Sequence, residues 1–426
     1  MHTHEVFGIQ PEFREASYID RGSLDREFKK LVDRKQTHIA IRGASKSGKS
    51  WLRQKVLADP IIVQCRVSYT TLDIYRDALA RLEIRLVTER TVENNWGGKI
   101  SATGEAGFKL IAKVEGSAEG TYERSTALTD RVVGKDVNDL EFISALIRES
   151  GRTLVIEDFH YLPIEEQTKF AFDLKTLWDY KTFVVVVGVW ISENMLITLN
   201  PDLADRMEEL SVTWSDAELK QVFKKGCAAL NIRSTDAVAT KLSQISYGSV
   251  GLLQKLALRY LDDELGITEG AQNSEEIFVT NENRIDDAAM HAAEQLNQLY
   301  QTFARRVSEG IRARKNSTGI YAHCMAAIMD ASDQDLSAGI SAREIHRVAH
   351  ERQPRIQLNN LKSALTKFSE LQVDREGRGL VLFYDTQGEI VSVVDRQLLL
   401  YRRFATVRWP WEALIEEVSG SQEAFD

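Results

Sequence analysis

The sequence predicts an α/β fold built on a parallel sheet, followed by an all-helical unit and a C-terminal unit of helices plus a hairpin. Three observations predict it. The run His38-Ile39-Ala40-Ile41-Arg42 reads as a short buried strand, and it passes through a glycine-flanked turn into Trp51-Leu52-Arg53-Gln54-Lys55-Val56-Leu57, which continues as a helix. The run Thr182 to Trp190 is strongly apolar and β-branched, as expected of a central strand buried on both faces. Strands and helices alternate: 61–68 is strand-like, 71–82 carries Leu72, Tyr75, Leu79 and Leu82 at helical spacing, and a helix from Asp136 to Ser150 feeds a strand at 152–157. That rhythm implies βαβ units and a parallel sheet.

The turn itself is Gly43-Ala44-Ser45-Lys46-Ser47-Gly48-Lys49-Ser50. It matches G-x-x-x-x-G-K-[ST], the P-loop, and strand and helix stand on the correct sides. Glycines at its ends let successive N–H groups and a helix N-terminus converge on an anion. Lys49 can reach the outer phosphates of a nucleotide, and Ser50 can offer its hydroxyl to Mg²⁺. The fold class is therefore a P-loop NTPase parallel sheet.

The strand Leu154-Val155-Ile156 ends in Glu157-Asp158, the form of a Walker B element. One carboxylate can hold the Mg²⁺ shell and the other can orient an attacking water as general base. We assign Glu157 to the metal and Asp158 to the water, with the reverse left open. The plain alternative is a strand followed by a solvated acidic turn. His160 beside the pair reads as packed or solvated. Ser192, Glu193 and Asn194 follow the central strand, at the edge where open parallel sheets meet their ligands.

Residues 18–28 read as an extended piece ending at Arg21 and a helix capped by Ser23 or Asp20. Such a segment either folds over a base or simply packs. Residues 95–126 are glycine-rich and roughly alternating, which predicts a β-hairpin or small sheet inserted into the α/β core, the alternative being a functionally idle loop. Helices follow from Ser215 to Leu261, and a long charged helix from about Asn283 to Arg312 reads as a connector. Helices at 322–330, 341–351 and 358–371, then a hairpin at 380–384 and 390–394 turning at Gln387-Gly388, form a winged-helix arrangement. Its third helix offers Asn359, Asn360, Lys362, Ser363, Thr366 and Lys367 to DNA or, equally, to protein. His346 and His350 have no third ligand nearby and read as solvated. The expected domains are 1–214 (α/β unit with the P-loop and the 95–126 insertion), 215–282 (all-helical unit), 283–315 (connector) and 316–426 (winged helix).

Composition narrows the setting. A net charge of −9 argues against whole-surface binding of polyanions, although residues 305–408 hold 17 lysines and arginines against 12 acids. The sequence has no apolar run long enough to span a bilayer, so no membrane partner is expected. Three scattered cysteines, Cys65, Cys227 and Cys324, suit a reducing cytosol, so a cytoplasmic protein is expected.

Taken in order, Gly43–Ser50, Val155–Asp158, the helical unit and the winged helix resemble the AAA+/STAND class of P-loop ATPases, near origin-recognition-type initiators and bacterial defence ATPases. The resemblance implies ATP or ADP with Mg²⁺ at residues 43–50 and Trp51, Tyr18, Ile19 and Arg21 around adenine, and a sensor at Ser192–Asn194. It also implies that Arg206, in Asp202-Leu203-Ala204-Asp205-Arg206, enters a neighbouring subunit's site, and hence a homo-oligomer through the ATPase domains. Two features depart from the pattern. Gly248-Ser249-Val250-Gly251 lacks the lid arginine, and the acidic pair is Glu-Asp rather than Asp-Glu. The implied function is an Mg²⁺-dependent ATPase that switches conformation and association. The alternatives are an ATP-binding scaffold recruiting an effector protein, and a DNA-binding initiator or loader.

Overall fold

The computed structural model describes residues 1–90, 96–116, 132–136, 139–190, 193–271, 276–311, 318–372, 380–386 and 388–423. The chain divides into two compact units. One comprises Gly22–Arg42 and Leu52–Ser211; the other comprises Met1–Arg21, Gly43–Trp51 and Val212–Asp426. This division cuts across the linear boundary expected at residue 214.

The first unit is built on a five-stranded sheet of β1 (His38–Arg42), β2 (Ile61–Gln64), β3 (Leu154–Glu157), β4 (Val184–Val187) and β5 (Met207–Ser211), in spatial order β2-β3-β4-β1-β5. Every neighbouring pair is parallel, so the carboxyl ends of the strands share one edge. The four valines of β4 are all buried, as a central strand covered on both faces requires. Helices Thr71–Ala80, Leu140–Glu149 and Ile164–Asp179 supply Leu79, Ile143, Leu146, Leu174 and Leu177 to the same core.

Two expectations fail here. Residues 95–126 are not one hairpin, although their strand does join a small three-stranded sheet. Trp96–Ala102 is a strand, paired antiparallel with Ile84–Arg90 and with Val132–Asp136, but Glu105–Gly116 is a helix. Its Leu110, Ile111 and Val114 meet the core at helical spacing, while Phe108 stays exposed, so the 3.6-residue period wins over the apparent alternation. Asn95 and residues 117–126 lie outside the described residues, as do Val137 and Gln387. The following helix begins at Leu140, not Asp136. Asp139 caps it by accepting the Phe142 amide at 3.0 Å, whereas Asp136 ends a strand.

In the second unit, helices Asp216–Ala229, Asp236–Gln244 and Val250–Leu258 start at the caps Ser215, Thr235 and Ser249. Val6 and Phe7 from the N-terminus are buried in their core, Phe7 against Phe223. The helix Asn283–Glu309 is more than a charged connector. Ala288, Ala289 and Ala292 pack into the lid core, and Ala293, Tyr300, Phe303 and Ala304 pack into the winged-helix core. The winged helix has helices Ile320–Asp330, Ala342–Arg352 and Leu358–Thr366, then strands Leu382–Asp385 and Ile390–Val393, with Ile340–Ser341 added to the sheet.

His38 opens β1 in full burial. Its Nδ1 accepts the Val184 amide at 3.0 Å, and its Nε2 lies 2.8 Å from the Leu174 carbonyl, which defines a neutral ring protonated at Nε2. Burial pushes its pKa down to about 4, against the weaker opposing pull of the Leu174 carbonyl. The unfolded chain therefore takes up this proton at higher pH than the folded one. Stability is expected to fall by about 3 kcal/mol as pH drops from about 6.5 to about 4. Urea titrations across that window check this, with His38→Gln flattening the acid limb; an unaltered slope in the variant contradicts it.

Candidate nucleotide-binding site

The chain leaves β1 at Arg42 and turns at Gly43, where φ is +154° and a methyl group would lie 2.6 Å from the Val212 carbonyl oxygen. Only glycine fits there. Lys46 takes a left-handed conformation, φ +58°, and Gly48 follows at φ +89°. Lys49 then starts the helix Lys49–Val56, and its ammonium returns to the beginning of the loop. It donates to the Gly43 and Ala44 carbonyls at 3.1 and 2.7 Å and to Ser47 Oγ at 3.3 Å. The loop is thus closed on itself by one buried cation.

Three other segments of the same unit hold the loop from outside. Trp214 Nε1 donates to the Ser47 carbonyl at 2.7 Å. The Gly251 amide of the lid donates to the Lys46 carbonyl at 3.0 Å, and the Ser45 amide donates to the Val394 carbonyl of the winged helix at 2.9 Å. The absence of a lid arginine has a steric reason. A methyl group on Gly251 would lie 2.6 Å from Lys46 Cβ and 2.9 Å from its carbonyl oxygen.

Tyr18, Ile19, Arg21 and Trp51 belong to the same unit as the loop. The Arg21 guanidinium stands 4.2 Å from the centre of the Trp214 ring and donates to the Thr213 carbonyl. Tyr18 is buried with its ring on Phe13, which in turn meets Trp51 edge-on, and Ile19 joins the lid core. Trp51 Nε1 donates to the Gln10 carbonyl at 3.1 Å. Ser50 is exposed at the helix start.

Glu157, Asp158, Asn194 and Arg206 belong to the sheet unit. Glu157 ends β3 and accepts Arg53 Nε at 3.0 Å, with both side chains about one-tenth exposed. Asp158 is left-handed, φ +57°, and accepts Gln64 Nε2 at 3.0 Å. His160 is packed, its Nδ1 accepting the Val189 amide. Arg42 forks between Glu209 at 2.6 Å and Glu193 at 2.9 Å, and the other Glu209 oxygen accepts the Asn194 amide at 3.1 Å. Ser192 lies outside the described residues. Arg206 lies over Trp178 at 4.8 Å from the ring centre and bonds to the Asp202 carbonyl of its own turn.

Sequence reading missed Arg42, Arg53, Trp214 and Val394. Arg53 carried a signal, since a basic residue four positions after Lys49 stays on the same helix face; Val394 carried none.

In the winged helix, Lys362 pairs with Glu389 at 2.5 Å and Lys367 with Glu370 at 3.2 Å, so both lysines of the third helix face carboxylates of their own domain. Ring nitrogens of His346 and His350 lie 3.1 and 2.9 Å from the Ile356 carbonyl. Among the described residues no cluster of three or more His, Cys, Asp or Glu is arranged to hold a metal, and no helix is long and apolar enough to cross a membrane.

No family model matches the chain, and no curated protein matches it in sequence. Solved structures do. The Walker-type ATPase PABY2304 of Pyrococcus abyssi superposes with a TM-score of 0.55 at 13% identity, over 93% of this chain and 99% of that one. The Aeropyrum pernix ORC1 protein, solved in complex with DNA, gives 0.41 at 13% identity over 93% and 94% of the two chains. The STAND protein PH0952 of Pyrococcus horikoshii gives 0.38 at 12% identity, over 97% of this chain and 45% of that one. The fold is the one seen in that Walker-type ATPase, a parallel sheet with its P-loop after the first strand.

Removing Arg53 strands the buried Glu157 carboxylate. Arg53→Met is expected to cost about 3 kcal/mol in denaturant titration, and Arg53→Met with Glu157→Leu to recover most of it. A double variant as unstable as the single one would contradict the pairing.

Proposed function

We propose that the chain is an Mg²⁺-dependent ATP hydrolase whose nucleotide state sets its conformation and self-association. The carrying observation is the closed loop 43–51, bonded at once by the lid through Gly251 and by the winged helix through Val394. The Ser45 amide belongs to the set of amides that such a loop turns toward phosphate. A phosphate oxygen is a charge-assisted and therefore stronger acceptor than the Val394 carbonyl. A bound triphosphate thus competes with the winged helix for Ser45, which supports a switch in which nucleotide loosens that domain.

Ser50 and Glu157 would hold Mg²⁺, a serine hydroxyl and a carboxylate both being hard oxygens, and this role requires Glu157 to leave Arg53. The ion would supply charge neutralisation at the outer phosphates. Lys49 shares that task, since its ammonium stands where the loop closes. Asp158 would accept the proton of the attacking water, Asn194 would orient that water, and Arg206 would act across an interface between copies. This last role requires Arg206 to leave Trp178.

That contact favours a second reading, a nucleotide-gated scaffold that binds ATP with little turnover and recruits an effector protein. DNA remains a partner to test through the winged helix.

Phosphate release by the full chain with ATP and Mg²⁺ is expected to fall at least a hundredfold in Lys49→Ala and in Asp158→Asn, with Asp158→Asn still binding ATP. Equal rates in all three proteins would remove the hydrolase; tight binding without release by the wild type would establish the scaffold. Hydrogen exchange is expected to rise across residues 388–404 when ATP is added to Asp158→Asn. Unchanged protection there would defeat the switch.

A further inference from the structure

The lid helix Val250–Leu258 carries a polar side chain that the packing leaves unanswered. Gln254 is 3% exposed, and both its carboxamide nitrogen and oxygen lack a hydrogen-bond partner. A buried amide with two donors and an acceptor all idle is rare, because each forfeits the bonds it made with water.

Its place on the helix says what it faces. Val250, Gln254 and Leu258 recur at four-residue spacing and share one stripe. At one end of the stripe, Val250 lies 3.4 Å from where a Gly48 methyl would stand; at the other, Leu258 lies 3.0 Å from where a Gly8 methyl would stand. Gln254 therefore lies between the start of the P-loop helix and the segment Gly8–Gln10. That segment joins it to Trp51, for the Gly8 amide donates to the Gln254 carbonyl at 3.1 Å and the Gln10 carbonyl accepts from Trp51 Nε1. Trp51 in turn meets Phe13 edge-on, and Phe13 meets Tyr18. Ser17, next to Tyr18 and 1% exposed, holds a hydroxyl that also lacks a partner.

We propose that Gln254 reads the adenine of the nucleotide held by this loop, its carboxamide pairing with the N6 amino group and the adjacent ring nitrogen. This rests on the nucleotide reading above and adds base specificity to it. An amide is the side chain that matches adenine's neighbouring donor and acceptor, as in its bidentate pairing with that base in DNA. A base stacked on Trp51, with its phosphates in the loop, brings that edge to the lid. Base and lid are thereby joined, so that closing of the lid depends on which nucleotide is bound.

The test is calorimetric titration of the full chain with ATP, GTP and inorganic triphosphate, for wild type, Gln254→Leu and Gln254→Glu, with Lys49→Ala as the phosphate control. The wild type is expected to prefer ATP over GTP at least tenfold. Gln254→Leu should bring the two within about twofold while inorganic triphosphate binds as before. Gln254→Glu, which accepts but cannot donate, should move the preference toward GTP. The Tm of Gln254→Leu without nucleotide should hold or rise, since an unpaired buried amide is gone. An unchanged ATP-to-GTP ratio in Gln254→Leu, or a wild type indifferent to the base, overturns the assignment. Failure of the wild type to bind any of the three ligands defeats the nucleotide reading itself, and with it this proposal.

Discussion

The arrangement of the second unit depends on one ammonium group. Lys49 Nζ satisfies the Gly43 and Ala44 carbonyls and so pins the first turn of the loop to the first turn of the following helix. With both ends fixed, the intervening amides have one course to follow, and the lid, Trp214 and the winged-helix strand dock onto that shape. Backbone groups in a turn of this kind cannot pair with each other, so each must find a partner outside it or a ligand. Trp214, Gly251 and Val394 supply such partners from residues 212–426 of the same unit.

Steric and electrostatic needs meet at the same few atoms. Gly251 is forced by its approach to Lys46, and the approach in turn removes the lid arginine that the resemblance led us to expect. In the sheet unit, cations adjoin the acidic residues instead. Arg53 neutralises Glu157, and Arg42 spans Glu193 and Glu209 at the end of β1. Desolvated carboxylates require such partners, because their charge is costly to bury alone.

Much of this was legible in advance. The loop, the valine-rich strand, the acidic strand end and the wing were readable because each rests on local pattern: glycine spacing, apolar runs, a turn between two strands. The errors fell where two periods compete or where burial is shared. Residues 105–116 satisfy both an alternating and a helical pattern, and only the core that receives Ile111 and Val114 decides between them. The helix Asn283–Glu309 looked like a charged spacer because its buried stripe is alanine at Ala288, Ala289, Ala292 and Ala293, which marks close packing without announcing hydrophobicity.

The sequence by itself determined the class of fold, the phosphate loop and the carboxylates at the end of β3, since those follow from residue type and short spacing. The tertiary structure alone decided that Val394 accepts the Ser45 amide, that Arg206 rests on Trp178, and that Gln254 is buried without a partner. These are contacts between residues dozens to hundreds of positions apart. No local rule of propensity or periodicity carries such information, because it arises only when whole elements pack and exclude water from the groups between them.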